Sequence, residues 1–159
     1  MILLCYDGSE DARTAIAHAG KLLAGQSATV LTVWEPFMEL LARTSFGYGM
    51  TGPIEDIEQI DTANREGAQG RAQEGTELAR GVGLDAEARI RARRSTFAEA
   101  ILETAGEIDA AAIVVGSRGL TGVKSILLGS VSHGLIQHAD RPVVVVPSEK
   151  TAAARAIRG

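Results

Sequence analysis

The 159-residue chain has little of several things, and each shortage narrows what it can be. A single cysteine, Cys5, excludes an internal disulfide framework and points to a reducing, cytoplasmic setting. Aromatic residues make up 4% against 45% apolar residues in all, so the core has to be built from Val, Ile, Leu and Ala rather than from rings. No apolar run approaches the roughly 20 residues that span a bilayer, so no membrane association is expected. Met1-Ile2-Leu3-Leu4-Cys5 meets Asp7 at once, with no basic leader, so no signal peptide is expected either. A net charge of −4 argues against a nucleic-acid partner recruited by bulk electrostatics. Acid is itself missing from one stretch. Between Ala110 and Ala139 there is no Asp or Glu, where an even spread would put roughly four, while Arg118 and Lys124 remain. Buried strands and helix faces exclude charge and account for this gap as well as an anion pocket does.

What is present alternates between two periodicities. Ile2 to Tyr6 is a short apolar run stopped by Asp7-Gly8-Ser9. A helix follows, with Asp7 or Ser9 as N-cap, Glu10 and Asp11 in its first turn, and Ala12, Ile16, Ala19 and Leu23 along one side up to Gly25. Ala28 to Trp34 is rich in β-branched residues and reads as a strand ended by Pro36. Residues 35–54 read as irregular. From Glu55 to about Arg80 a polar helix is predicted, its stripe running through Ile57, Ile60, Ala68 and Leu78. Gly67, Gly70 and Gly75 weaken that helix by about 1 kcal/mol each relative to Ala.

Leu84 to Arg93 alternates strictly, with Leu84, Ala86, Ala88, Ile90 and Ala92 opposite Asp85, Glu87, Arg89, Arg91 and Arg93. That pattern predicts a half-exposed strand at a sheet edge. Thr96-x-x-Glu99 is a capping box that opens a helix to about Gly106. Ala110 to Val115 is a fully apolar strand, a helix runs from Ser130 to about His138, and Pro142 to Pro147 encloses four valines. The tail from 148 to 159 reads as a frayed helix without a motif. Strands alternating with helices imply βαβ units and a parallel sheet with helices on both faces, in one domain over residues 1–147. Such sheets take ligands beyond the carboxyl ends of their strands, where the strand order reverses. Asp7-Gly8-Ser9 and the loop from Gly116 fall there. The flat valine edge, Val143 to Val146, needs cover, and the same edge of a second copy is the expected cover.

Several candidate motifs fail on context. Gly47-x-Gly49-x-x-Gly52 follows no strand and runs into Pro53, so a mobile loop is the better reading. Gly119-Leu-Thr-Gly122-Val-Lys124-Ser125 has the ingredients of a phosphate loop in the wrong register. His18, His133 and His138 have no metal-ligand spacing. Ser130, Ser132 and His133 lack a nucleophile elbow, and Ser130 is expected to cap a helix instead. The loop "GSRGLTGVKSILLGS" is more informative. Gly116 and Gly119 permit unusual backbone conformations and close approach of a ligand to the main chain. Gly129-Ser130 then opens a helix whose free N–H groups favour an anion. Ordinary turn glycines explain the same residues, and the two readings are evenly matched.

The stretch "IVVGSRGLTGVKSILLGSVSHGLIQHADRPVVVVP", with Gly116-x2-Gly119-x9-Gly129-Ser130 inside it, resembles the nucleotide-loop pattern of the universal stress protein family. "ILLCYDGSEDA" and "VLTVWEP" are also similar to that family. The resemblance is weak from about residue 37 to 82 and absent in the tail. It implies a Rossmann-like, α-hydrolase-like five-stranded parallel sheet of order 3-2-1-4-5, a homodimer through the last strand, and ATP with Mg2+ at the switch point. By the same resemblance Asp7 would approach the ribose or a water on Mg2+, and Val33 would offer its backbone to the adenine. Gly116, Ser117, Arg118 and Gly119 would line the ribose and phosphates, and Gly129, Ser130, Val131 and Ser132 would hold the phosphates. Ala111 stands where the family often has an acid, and Ser95-Thr96 where it has a Gly-Pro-like turn. The implied function is an ATP-dependent switch or partner-binding homodimer in stress response. Asp7 is the only obvious carboxylate there, so efficient hydrolysis is not expected. An adenine-nucleotide α-hydrolase-type enzyme would need a Ser-Gly-Gly-x-Asp-Ser loop, which Asp7-Gly8-Ser9-Glu10 is not. A dimerisation module with a vestigial pocket is the third reading.

Overall fold

The computed structural model describes residues 1–43, 54–119 and 128–157. In chain order they form β1 (Ile2–Cys5), α1 (Glu10–Leu22), β2 (Ser27–Trp34), α2 (Phe37–Arg43), α3 (Ile54–Gly81), β3 (Asp85–Ala92), α4 (Phe97–Glu107), β4 (Ile113–Gly116), α5 (Ser130–His138), β5 (Val143–Val146) and α6 (Glu149–Ala156). The strands make one parallel sheet of order β3-β2-β1-β4-β5, the order that the family resemblance implied. Strand order reverses between β1 and β4, so the crevice at their carboxyl ends is the switch point.

β1 and β4 are short, apolar on both faces and central, because helices cover them on each side. Leu4, Tyr6, Val30 and Val114 pack against Ile16 and Ala19 of α1 and Ala79 of α3. On the opposite face Leu3, Leu31, Ile113 and Val115 pack against Ile101 and Ala105 of α4 and Leu135 of α5. Each fully buried Leu, Ile or Val contributes about 1.5–3 kcal/mol, so these two layers carry most of the fold. Edge strand β3 keeps its alternation: Leu84 and Ala86 are buried while Asp85 and Glu87 are exposed. Its arginines are laced to α4, with Arg91 reaching Glu103 at 2.6 Å and Glu107 at 2.8 Å. Exposed pairs of this kind add at most about 1 kcal/mol each.

Three expectations need correction. Residues 37–43, read as irregular, form α2, whose first N–H (Phe37) donates to Asp61 Oδ1 of α3 at 2.6 Å. The long helix is present, but its buried face is Ala68, Ala72, Thr76 and Ala79, while Ile60 and Leu78 are each 38% exposed. Small residues are required because the helix lies close on the sheet. A Cβ at Gly75 would sit 2.8 Å from the Tyr6 ring, so the glycine that weakens the helix permits its packing. The tail, read as frayed, is capped: Ser148 Oγ accepts from Thr151 N at 3.2 Å, and both residues are buried. None of the described helices is long and apolar enough to cross a membrane.

Candidate functional site

A cavity of about 670 Å³ opens at the carboxyl ends of β1, β2 and β4. Its floor is Cys5, Tyr6, Leu31 and Val115. One wall is the turn at Asp7, the other is Gly129 to Ser132 at the start of α5, and residues of α2 and α3 close it over. Nine of the ten residues singled out in the sequence line it: Asp7, Val33, Gly116, Arg118, Gly119, Gly129, Ser130, Val131 and Ser132. Ser117 does not. Its side chain is fully buried and donates to Asp11 Oδ2 at 2.8 Å, away from the cavity.

The first turn presents Asp7 without using it as a cap. Ser9 is the N-cap of α1, accepting from Ala12 N at 3.2 Å, while Asp7 Oδ1 accepts from Ser9 N at 2.9 Å. Asp7 Oδ2 faces Gly119, where a Cβ would come within 2.8 Å of it. Gly116 is constrained by space as well: a Cβ there would lie 2.8 Å from the main-chain carbon of Asp11. Neither glycine has a positive φ, so the loop needs them for close approach and not for unusual dihedrals; Gly8 is the one at this site with φ 86°.

The far side of the loop is closed by Gly129 N donating to Ser117 O at 2.9 Å. Gly129, not Ser130, is the N-cap of α5, and no side chain caps the helix. Ser132 Oγ instead donates back to Gly129 O or Ser117 O, at 3.0 and 3.2 Å. The N–H groups of Ser130, Val131 and Ser132 therefore have no acceptor among the described residues, and they open on the cavity. Three such donors at the positive end of a helix dipole form a seat for an anion. Val33 lies two residues past Leu31, whose carbonyl accepts from Tyr6 N on the β1 side. Strand parity turns the Val33 main chain to that side too, beyond the last residue of β1, so its N–H and C=O face the crevice.

Charge in the cavity comes from Asp7, Glu35, Arg71 and Arg118, evenly split in sign. The acid-free window does not by itself make the site positive; the α5 terminus and Arg118 do so locally. No group of three or more His, Cys, Asp or Glu residues that could hold a metal occurs among the described residues. Burial, and then the nearby Asp7 charge, push the Cys5 thiol up to about 12, so it is an inert part of the floor although the residue is only half-buried. The Gly47, Gly49, Gly52 pattern and Lys124-Ser125 lie outside the described residues.

Sequence reasoning missed the roof, Ala63, Asn64, Gly67 and Arg71 of α3, which follows no motif. It also missed Asp11. This carboxylate is 5% exposed and accepts from Ser117 Oγ and, at 3.4 Å, from Thr151 Oγ1 of the tail. Burial works to raise its pKa, but hydrogen bonds from the Ser148 and Ser117 hydroxyls and the main chain at Ser148 and Arg118 outweigh that and hold it below the usual range.

This geometry matches a known family. Residues 1–147 fit the sequence model of the universal stress protein family. The chain belongs to that family. A universal stress protein of Thermus aquaticus is 33% identical over 147 residues, covering 91% of this chain and 96% of its own length. The solved structure of hypothetical protein MJ0577 superposes with a TM-score of 0.73 at 25% identity, over 92% of this chain and 94% of that one. The Archaeoglobus fulgidus universal stress protein in complex with dAMP has a TM-score of 0.57 at 23% identity and covers 91% of this chain and 95% of its own, a likeness of fold. The tail from Ser148 lies beyond the part this chain shares with the family model.

Proposed function

We propose that the crevice binds an adenine nucleotide, ATP with Mg2+, and that the protein works as a nucleotide-dependent switch or partner-binding homodimer in stress response. The observation that carries this reading is the pairing of two unlike ends in one cavity. At one end the N–H groups of Ser130, Val131 and Ser132, which have no acceptor among the described residues, line the cavity together with Gly119, whose missing side chain permits close approach of a phosphate to the main chain. At the other end Val33 turns its main chain to the crevice beside apolar Leu40, Ile101 and Phe97, which suit a flat base. Asp7, the carboxylate at this end of the cavity among the described residues, keeps one oxygen beyond its own turn and fits a water on Mg2+ better than direct ligation. Mg2+ bound with the phosphates would neutralise part of their charge. Family membership and a relative that carries dAMP support an adenine nucleotide as the ligand class.

Hydrolysis is at most slow in this reading, because Asp7 is the one carboxylate beside the phosphate end among the described residues to position an attacking water. The homodimer would form along β5, whose outer side has no strand neighbour in the sheet. The test is direct. Protein purified without added ligand is denatured, released nucleotides are identified, and ATP and AMP are titrated calorimetrically with and without Mg2+. Affinity for ATP in the micromolar range or better is expected. Absence of any adenine-nucleotide binding below millimolar concentration refutes the reading.

A further inference from the structure

The roof of the cavity carries a cation that no carboxylate holds. Arg71 of α3 is half-buried and lines the cavity. Among the described residues its guanidinium makes no hydrogen bond and no ion pair, and the internal segments beyond them, 44–53 and 120–127, contain no Asp or Glu. Glu74, three residues further along the helix, is within reach of such a side chain. Its Oε1, however, already accepts from Arg13 Nη2 at 2.7 Å and from the Tyr6 hydroxyl at 2.9 Å. Arg71 leans the other way, towards the helix N-terminus, as helical side chains do. There Gly67 offers no side chain, and a Cβ on it would lie 3.6 Å from Arg71 Nη1.

The stem of Arg71 crosses the turn at Asp7: a Cβ on Gly8 would lie 3.5 Å from its Cδ. Asp7 Oδ2 in turn faces Gly119, so the arginine adjoins the end of the cavity that Gly119 and the start of α5 line. The two elements come from opposite faces of the sheet, α3 packing with α1 on one and α5 with α4 on the other. One wall thus supplies main-chain N–H groups and the other a guanidinium, whose planar fork of donors matches phosphate oxygens. A single phosphate can occupy one of these seats, whereas a chain of phosphates can use both. From this we infer that Arg71 holds the outer phosphates of the nucleotide and makes the crevice prefer a triphosphate over the monophosphate of the same nucleoside. This rests on the nucleotide reading above and adds to it the residue that measures the phosphate chain.

The probes are ATP and AMP, titrated with Mg2+ at fixed ionic strength into the full chain and into Arg71→Gln. The wild-type protein is expected to bind ATP about tenfold to a hundredfold more tightly than AMP, the worth of hydrogen bonds to a charged group. Arg71→Gln should weaken ATP by about that factor while AMP stays within about threefold of its wild-type affinity. Without nucleotide the two proteins should melt alike, because the guanidinium bonds to nothing among the described residues. A folded Arg71→Gln protein that keeps the wild-type ratio overturns the proposal and leaves the nucleotide reading standing. An equal loss for both nucleotides assigns the arginine to the part they share and overturns it too. So does a lowered melting temperature of the free variant, which would make Arg71 a structural residue. Wild-type protein that binds no nucleotide at all removes that reading and this proposal together.

Discussion

Asp11→Ala is the substitution whose cost the structure bounds best. The carboxylate is 5% exposed and receives Ser117 Oγ at 2.8 Å, with Thr151 Oγ1 more distant at 3.4 Å. The Ser148 hydroxyl and the main-chain N–H groups of Ser148 and Arg118 also act on it. When it is removed, the hydroxyls can swing towards other acceptors, but two main-chain N–H groups cannot. A stranded buried donor costs about 1–3 kcal/mol. The Ser117 bond to a charged acceptor adds about 1.5–3 kcal/mol, and the long Thr151 bond adds little. Since these do not sum independently, a total of about 3–4 kcal/mol is expected, a large share of the roughly 5–15 kcal/mol that holds such a domain. At about 2–4 °C per kcal/mol the melting temperature should fall by about 6–16 °C. Urea unfolding at neutral pH, followed by circular dichroism, measures it.

The pH dependence supplies a second, independent readout of the same site. The folded carboxyl is held below the ordinary 3.8, so the unfolded chain takes up the proton first as pH falls. Its contribution is therefore complete above about pH 4 and is lost as pH drops through the lower folded value. Asp11→Asn, which cannot titrate, should flatten stability against pH across that acid window. A loss under about 1 kcal/mol for Asp11→Ala, or an unchanged acid limb for Asp11→Asn, refutes the reasoning.

Four further outcomes are expected. Gly119→Val should lower ATP affinity by at least about tenfold while barely changing the melting temperature, because among the described residues its Cβ would meet only the Asp7 carboxylate. Gly116→Ala should instead cost about 1–3 kcal/mol of stability, because its Cβ meets the main chain of α1; urea midpoints distinguish the two, and equal midpoints would refute the contrast. Cys5, with its thiol pushed up to about 12, should resist iodoacetamide at pH 8 in the folded protein and react promptly in urea, with mass spectrometry as the assay. Rapid labelling of the folded chain would show that the thiol is not desolvated. Carbonyls of Pro142 and Val146 bond β4, so alternation turns Val143 and Val145 outward. Val145→Pro removes an outward N–H without breaking the β4 ladder, and light scattering should find monomers. A dimer that survives it does not form along this edge.

The strands and most of the helices were legible because each carries its own periodicity. The apolar runs of β1, β4 and β5, the alternation of β3 and the Thr96 cap all report on neighbours a few residues away. Seven of the nine cavity residues lie on or beside one loop, where glycine spacing and a helix start are local signals; Asp7 and Val33 were legible only through the family resemblance. The same local view failed for α3, where large residues at helical spacing suggested a stripe through Ile60 and Leu78. Close approach to the sheet keeps Ala68 of that stripe buried, as expected, but pairs it with Ala72, Thr76 and Ala79 rather than with Ile60 and Leu78. It failed for Ser130 as well, because a serine at a helix start reads as a cap whether or not its hydroxyl is used.

By itself, then, the sequence determined the class of the fold and that its sheet is parallel, which follow from hydrophobic period and backbone chemistry along the chain. The strand order and the choice of loop came from its resemblance to the family, since the glycines alone suit an ordinary turn equally well. The tertiary structure alone decided that Asp11 of the first helix, Ser117 of the loop and Thr151 of the tail share one buried carboxylate, across 106 and 140 positions of sequence. It also decided that Glu35, which lines the cavity, meets Arg93, 58 positions away. Polar groups buried at such separations leave no period behind them. They pair because folding removes their water, and which partner each one finds depends on how the helices close over the sheet.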